Sequence, residues 1–171
     1  MKQIAFIDQH ELALTSPHDQ ELTWTRHAAR AVLRDGDNRV AIMHFSVNGS
    51  YKLPGGGIDE GEDTETALRR EVREEAGYTI TDITELGVVE ENRYFNGMHQ
   101  LSYCFNARAV DFVGTELTEK EAAGGMELVW FDDIEAAIAA IESAHVTDED
   151  GSEIGLEMMK RRDIAILRAS A

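Results

Sequence analysis

One short stretch constrains this chain more than any other: Pro54-Gly55-Gly56-Gly57, closely followed by a helix-forming run. Three consecutive glycines let backbone approach other backbone, or a ligand, closely. After them, Asp63 or Thr64 can cap a helix that runs to about Ala76, with Gly77 placed as its C′ residue. At about 100° per residue, Leu68, Val72 and Ala76 fall on one stripe, the face expected against a sheet, and Arg69 and Arg73 lie beyond it toward solvent. Glu71, Glu74 and Glu75 cluster in one arc at i, i+3 and i+4, and Arg70 precedes Glu74 by one helical turn. Like charges so spaced destabilise an isolated helix by about 0.2–0.5 kcal/mol per pair. Such a cluster is either solvated or neutralised by a cation, and carboxylates on one helix turn suit Mg²⁺, a hard ion that binds oxygen.

The rest of the chain reads as strands with helices on them. The apolar run 28–33 ends at Asp35-Gly36-Asp37-Asn38 and resumes over 39–45, a hairpin signature; Asn48-Gly49 is a second turn leading into Tyr51-Lys52-Leu53. Strand-like segments follow at 79–90 and 98–110, with Asn96-Gly97 between them. Residues 116–125 read as a polar loop and 127–131 as another strand, and Asp132 or Asp133 caps a helix through Ser143. Residues 146–152 form an acidic loop, and an amphipathic helix over about 153–170 closes the chain. Residues 1–23 read as a leader with weak strand character near 4–7 and a turn around Ser16-Pro17-His18-Asp19. With no repeat, low-complexity tract or linker, residues 1–171 are expected to form one domain of class α+β, a mixed sheet with helices packed on it.

Composition narrows the partners. The apolar fraction is 43%, enough for a globular core, and no apolar run approaches the ~20 residues that cross a bilayer. The first residues lack the pattern of a signal peptide. Cys104 is the single cysteine, so no internal disulfide forms, a cytoplasmic setting is expected, and the residue reads as part of a strand core. The net charge of −17 disfavours nucleic acid and anionic membranes. It also repels a polyanionic small substrate, unless divalent cations bridge the two.

Gly56, Glu62, Arg70 and the run Glu71-Val72-Arg73-Glu74-Glu75-Ala76-Gly77-Tyr78 together resemble the complete signature box of the MutT-like Nudix hydrolases, over residues 56–78. Tyr78 departs from it, standing where the family usually has an aliphatic residue. The resemblance implies an α/β/α sandwich in which the box is a loop–helix–loop. By position, Glu71, Glu74 and Glu75 would hold one or more divalent cations, usually Mg²⁺ or Mn²⁺, and the carbonyl of Gly56 or its neighbour Gly55 would add a ligand. Glu62 and Arg70 would orient loop and helix, and Gly77 would end the helix. The implied reaction is attack of water on a phosphorus of a nucleoside diphosphate linked to another group, with the metals lowering the pKa of that water and neutralising the diphosphate.

A carboxylate that takes the proton is available in the box, Glu71, or in the loop 116–125, where Glu121 is the candidate and Glu119 the alternate; a solvated acidic loop is the competing reading. Tyr94, Phe95 and His99 flank a hairpin and are candidates to stack on a base, against a reading as ordinary sheet residues; His44 reads as a strand-surface residue. The rival to an enzyme is a catalytically silent, nucleotide-binding Nudix-like sensor, which typically lacks box glutamates. An isoprenoid diphosphate isomerase needs a catalytic cysteine, for which Cys104 is a poor candidate. The expected partner is a small nucleotide-like molecule, and the last helix, with Ile154, Met158, Ile164 and Leu167, either covers the core or makes a homodimer contact.

Overall fold

The computed structural model describes residues 1–12, 14, 19–145 and 152–171; apart from Asp19 and Ser152, the turn expected at 16–19 and the acidic loop expected at 146–152 lie outside them. In chain order the elements are β1 (Gln3–Asp8), β2 (Trp24–Arg34), β3 (Val40–Phe45), β4 (Ser50–Lys52), α1 (Thr64–Ala76), β5 (Tyr78–Arg93), β6 (Met98–Phe112), α2 (Glu119–Ala123), β7 (Met126–Phe131), α3 (Ile134–Ser143) and α4 (Ser152–Ala169). The strands make one seven-stranded sheet in the order β1-β5-β6-β2-β3-β4, with β7 paired to β3. It is mixed: β1 runs parallel to β5 and β2 parallel to β6, while β5–β6, β3–β4 and β3–β7 are antiparallel.

Residues 28–33 of β2 and 40–43 of β3 are buried on both faces, as near-continuous apolar runs predict. Side chains alternate along them. Ala29, Ala31, Leu33, Ala41 and Met43 face one way and pack on Leu68, Val72 and Ala76 of α1. Val32, Val40 and Ile42 face the other way and meet Ile138 and Ile141 of α3 and Met158, Ile166 and Leu167 of α4. The sheet therefore sits between α1 and the α3–α4 pair, the expected sandwich.

The helix ends follow their local chemistry. The Asp63 carboxylate accepts from the Thr66 amide at 2.8 Å, and Gly77 ends α1 in the left-handed region with φ 76°, its N–H donating to the Arg73 carbonyl at 3.1 Å. Two segments differ from the reading of the sequence. Residues 3–8 are a full edge strand of the sheet, where the sequence showed only weak strand character near 4–7 within a leader; only Ile7 is buried there, so the apolar alternation is faint. The segment 116–125 contains α2, whose Thr118 and Glu121 form a capping box; the Thr-x-x-Glu spacing carried that signal.

α4 is tied to the sheet by more than apolar contact. The buried Asp163 carboxylate accepts from the Leu53 amide at 3.0 Å and from Arg162 Nε at 2.7 Å.

Leu68→Asp and Val72→Asp, which bury an unpaired charge against the sheet, are expected to unfold the protein. Arg73→Ala removes only an exposed ion pair to Glu116 and should shift stability by less than about 1 kcal/mol. Thermal melts check both, and a damaging Arg73→Ala would overturn the helix phase. Asp163→Ala leaves the Leu53 N–H unpaired and strips the buried Arg162 guanidinium of its hydrogen-bonded carboxylate, with only the more distant Glu91 remaining, and should cost about 3 kcal/mol in denaturant titrations.

Candidate active site

The glycine loop is clamped to β2 by backbone hydrogen bonds: the Ala31 amide donates to Pro54, the Ala29 amide to Gly56 and the Ile58 amide to His27, each at 3.0 Å. Gly55 has φ 127°, and a Cβ there would collide with the Ala29 carbonyl. At Gly56 the φ is ordinary, but a Cβ would run into the Glu71 carboxylate. The two glycines thus serve close approach, one to strand backbone and one to a carboxylate of α1.

Three carboxylates of α1 stand in graded environments. Glu75 is 3% exposed, with Oε2 accepting from the Gly55 amide at 2.9 Å and Oε1 from Lys52 Nζ at 2.5 Å. Glu71 is half-buried and accepts from Arg70 Nη1 at 2.8 Å. Burial pushes the Glu71 carboxyl up from its ordinary range against the Arg70 hydrogen bond, and the charge of Glu75 adds to the upward push. Glu74 is less buried, its Oε2 lying 3.3 Å from Arg70 Nη1. Arg70 is the hub. It grips Glu62 with Nε at 3.0 Å and Nη2 at 2.9 Å, and Nη2 also donates to the Gly57 carbonyl at 2.9 Å, so the expected Glu62–Arg70 pair clips loop to helix. The guanidinium holds the Glu62 carboxyl below its usual range.

A cavity of about 350 Å³ opens on this loop, lined by Gly55, Gly56, Gly57, Glu71, Glu75 and Glu121, and also by Lys52, Met159 and four arginines, Arg26, Arg30, Arg93 and Arg162. Cross-strand register builds the arginine side. Arg26 pairs with Gln100, and Gln100 with Glu91, so one row crosses three strands. Arg26 Nη1 donates to Gln100 Oε1 at 3.1 Å, and Gln100 Nε2 to Glu91 Oε2 at 2.5 Å. Arg30 is 3% exposed and donates to the Gly55 carbonyl; burial pulls its guanidinium down to about 10. Arg162 is equally buried, and Asp163 and Glu91 hold its charge in place against the burial. The Arg93 guanidinium lies over the Phe95 ring at 5.2 Å.

The sequence reading missed all four arginines. A faint signal existed: Arg26 and Arg30 share a strand face with Ala28 and Val32, and Arg162 falls on the stripe of Ile154 and Met158 in α4. Charges at inward positions stay buried only with partners, and those partners lie far along the chain.

Other sequence candidates fall as follows. Glu121 lines the cavity, while its carboxylate accepts from the Thr118 amide at 2.9 Å and hydroxyl at 2.8 Å. Glu119 is exposed and outside the cavity lining. Tyr94 stacks on His10 at 4.0 Å, and His99 Nε2 lies 2.9 Å from Glu90, so neither lines the cavity; Phe95 approaches it only through Arg93. His44 stacks on Tyr51 at 4.5 Å and contacts Glu127. Cys104 is fully buried, which pushes its thiol up to about 12 and fits a core residue.

Among the described residues no three His, Cys, Asp or Glu side chains close on one point; Arg70 and Lys52 donate to the carboxylates of Glu71 and Glu75. The donor chemistry nonetheless fits a hard divalent cation. Glu71 and Glu75 offer carboxylate oxygens, Gly55 and Gly56 offer carbonyls, and the close packing of Glu71 on Gly56 brings both kinds together. Each glycine carbonyl already accepts one hydrogen bond and keeps a second lone pair.

Comparison with known proteins agrees with this geometry. The family model of the NUDIX domain matches residues 24–149. An 8-oxo-dGTP diphosphatase of Proteus vulgaris is 36% identical over 67 residues, a match that covers 37% of this chain and only 60% of that relative. Among solved structures, a MutT NUDIX hydrolase from Burkholderia pseudomallei aligns with TM-score 0.53 and 23% identity over 80% of this chain and 98% of its own. A NUDIX hydrolase from Nitrosomonas europaea aligns with TM-score 0.58 and 22% identity over 72% of this chain and 82% of its own. A UDP-X diphosphatase aligns with TM-score 0.57 and 15% identity over 85% of this chain and 62% of its own. At such identities the structural likeness is one of fold. Nudix hydrolases generally use divalent metals, in keeping with the oxygen donors assembled here. The family match spans more than half of the chain, includes the glycine loop and the carboxylate helix, and establishes that this protein belongs to the Nudix family.

Proposed function

We propose that this chain is a Mg²⁺-dependent hydrolase, also served by Mn²⁺, that cleaves the diphosphate linkage of a nucleoside diphosphate joined to another group. The observation that carries the reading is buried Glu75 beside Glu71, both against the glycine loop, in a cavity that also gathers arginines. In a protein of net charge −17, such a gathering of cations favours a polyanionic ligand. The complete set of box carboxylates argues against a silent sensor.

In this reading Glu71, Glu74 and Glu75 would hold the metal, with a carbonyl of Gly55 or Gly56 as a further ligand. Bound there, a divalent cation neutralises diphosphate charge and lowers the pKa of the attacking water. The arginines orient the phosphates, and the Arg70–Glu62 clip keeps loop and helix in register. Water attacks one phosphorus, the bridging P–O bond breaks, and the proton passes to a carboxylate, for which Glu121 on the cavity wall and Glu71 in the box are the candidates. The likeness to the Proteus 8-oxo-dGTP diphosphatase favours a nucleoside triphosphate as the first substrate to test.

The deciding experiment is a screen of nucleoside triphosphates, dinucleoside polyphosphates and nucleotide sugars with Mg²⁺, with products resolved by mass. Turnover should vanish with chelator and return with Mg²⁺ or Mn²⁺. Glu74→Gln and Glu75→Gln should each lower kcat on the order of a hundredfold or more, and wild-type turnover in both would sink the assignment. A pH–rate profile at saturating Mg²⁺ separates the candidate bases. If Glu121 takes the proton, Glu121→Gln loses the acidic limb and about a hundredfold in kcat, with metal affinity unchanged. Should Glu121→Gln and Glu119→Gln both keep wild-type kcat, the role passes to Glu71 or to bulk water.

A further inference from the structure

We propose that Thr118 is a positioning residue for Glu121: its amide and hydroxyl fix one oxygen of the Glu121 carboxylate, so that the other is presented to the water that attacks phosphorus. The inference rests on the hydrolase reading above and on Glu121 as its base.

The two oxygens of this carboxylate are treated differently. Oε2 accepts from the Thr118 amide at 2.9 Å and from the Thr118 hydroxyl at 2.8 Å. Among the described residues Oε1 accepts no hydrogen bond, and the carboxylate forms no ion pair. The other carboxylates on the cavity wall accept from cations, Glu71 from Arg70 and Glu75 from Lys52. Glu121 is thus the cavity carboxylate with an open oxygen held by neutral donors. A water that gives up a proton needs such an oxygen within hydrogen-bond reach.

The Thr118 hydroxyl does more than cap α2. A capping box asks it only to accept from the N3 amide, while the N3 carboxylate accepts from the N-cap amide. Here the hydroxyl accepts from the Glu121 amide at 3.3 Å and also donates to the Glu121 carboxylate at 2.8 Å. The shorter contact is the one that capping does not require. α2 has five residues and buries none of its side chains, so it cannot hold its place alone. Its far end is strapped to the turn after β3: the Ser46 amide donates to the Gly125 carbonyl at 3.2 Å and the Val47 amide to the Gly124 carbonyl at 3.3 Å. Thr118 is not among the residues that line the cavity, so it acts through Glu121 and not on the substrate. In the assigned step the water oxygen bonds to phosphorus, the bridging P–O bond breaks with its electron pair staying on the departing phosphate, and the water proton passes to Glu121 Oε1. With Oε2 already tied, the side chain has less freedom to lose in reaching that geometry.

Steady-state kinetics of three Thr118 variants, with a nucleotide the screen shows to be turned over, separate positioning from capping. T118S keeps the hydroxyl and should keep wild-type kcat. T118V removes it and should lose about tenfold in kcat with KM unchanged. T118D retains a good helix cap but has no hydroxyl to donate to Glu121, and its kcat should fall at least as far as that of T118V while its melt stays intact. Wild-type kcat in either T118V or T118D overturns the proposal, as does a T118S that falls as far as T118V. In E121Q, itself lowered about a hundredfold, T118V should cause no further loss; a further tenfold loss there shows Thr118 acting without Glu121 and overturns the proposal. Wild-type kcat in E121Q removes the base and the proposal with it, while turnover leaves the hydrolase reading standing. If no nucleotide is turned over with Mg²⁺, that reading and the proposal fall together.

Discussion

The rest of the site depends on one constraint, the seating of a glycine loop on the backbone of β2. Three hydrogen bonds fix the loop, and side chains at Gly55 or Gly56 would collide with the Ala29 carbonyl or the Glu71 carboxylate. Because the loop lies this close, its Gly55 amide can serve Glu75, a carboxylate 3% exposed that would otherwise be expensive to ionise. Because Glu75 is buried, it recruits Lys52 from β4. The Arg70 guanidinium then closes the arrangement from the far end of the loop, bonding Glu62, Gly57 and Glu71 together.

A second consequence is the separation of charge. The chain is strongly acidic, yet lysine and four arginines converge on one cavity. Buried ion pairs seldom stabilise a fold more than apolar packing of the same volume would. The row Arg26–Gln100–Glu91 and the group Arg162–Asp163–Leu53 are therefore better read as devices that position charge than as sources of stability. They also explain why α4 belongs to the site. Asp163 holds the backbone of Leu53, next to Pro54, and Arg162 reaches the cavity itself.

Much of the fold was legible because its rules are local. The stripe Leu68–Val72–Ala76, the Asp63 cap, the Gly77 terminus and the hairpin turns each follow from a few neighbouring residues, and each stands as expected. β1 was faint for a physical reason: an edge strand with one buried side chain has little alternation to display. α2 was overlooked because a five-residue helix buries none of its side chains, although its capping box was written in the chain.

The sequence by itself determined the carboxylate helix, the glycine loop before it and the family they mark, since spacing along one helix and close approach at glycine are properties of contiguous residues. Only the tertiary structure decided which polar groups the buried charges meet. Arg26 reaches Gln100 across 74 positions and Leu53 reaches Asp163 across 110. Those meetings depend on strand order, on the parallel register of β2 with β6 and on the packing of α4 over the sheet. No local pattern encodes them: an arginine in an apolar strand run reads as a misplaced charge until the fold supplies its partners.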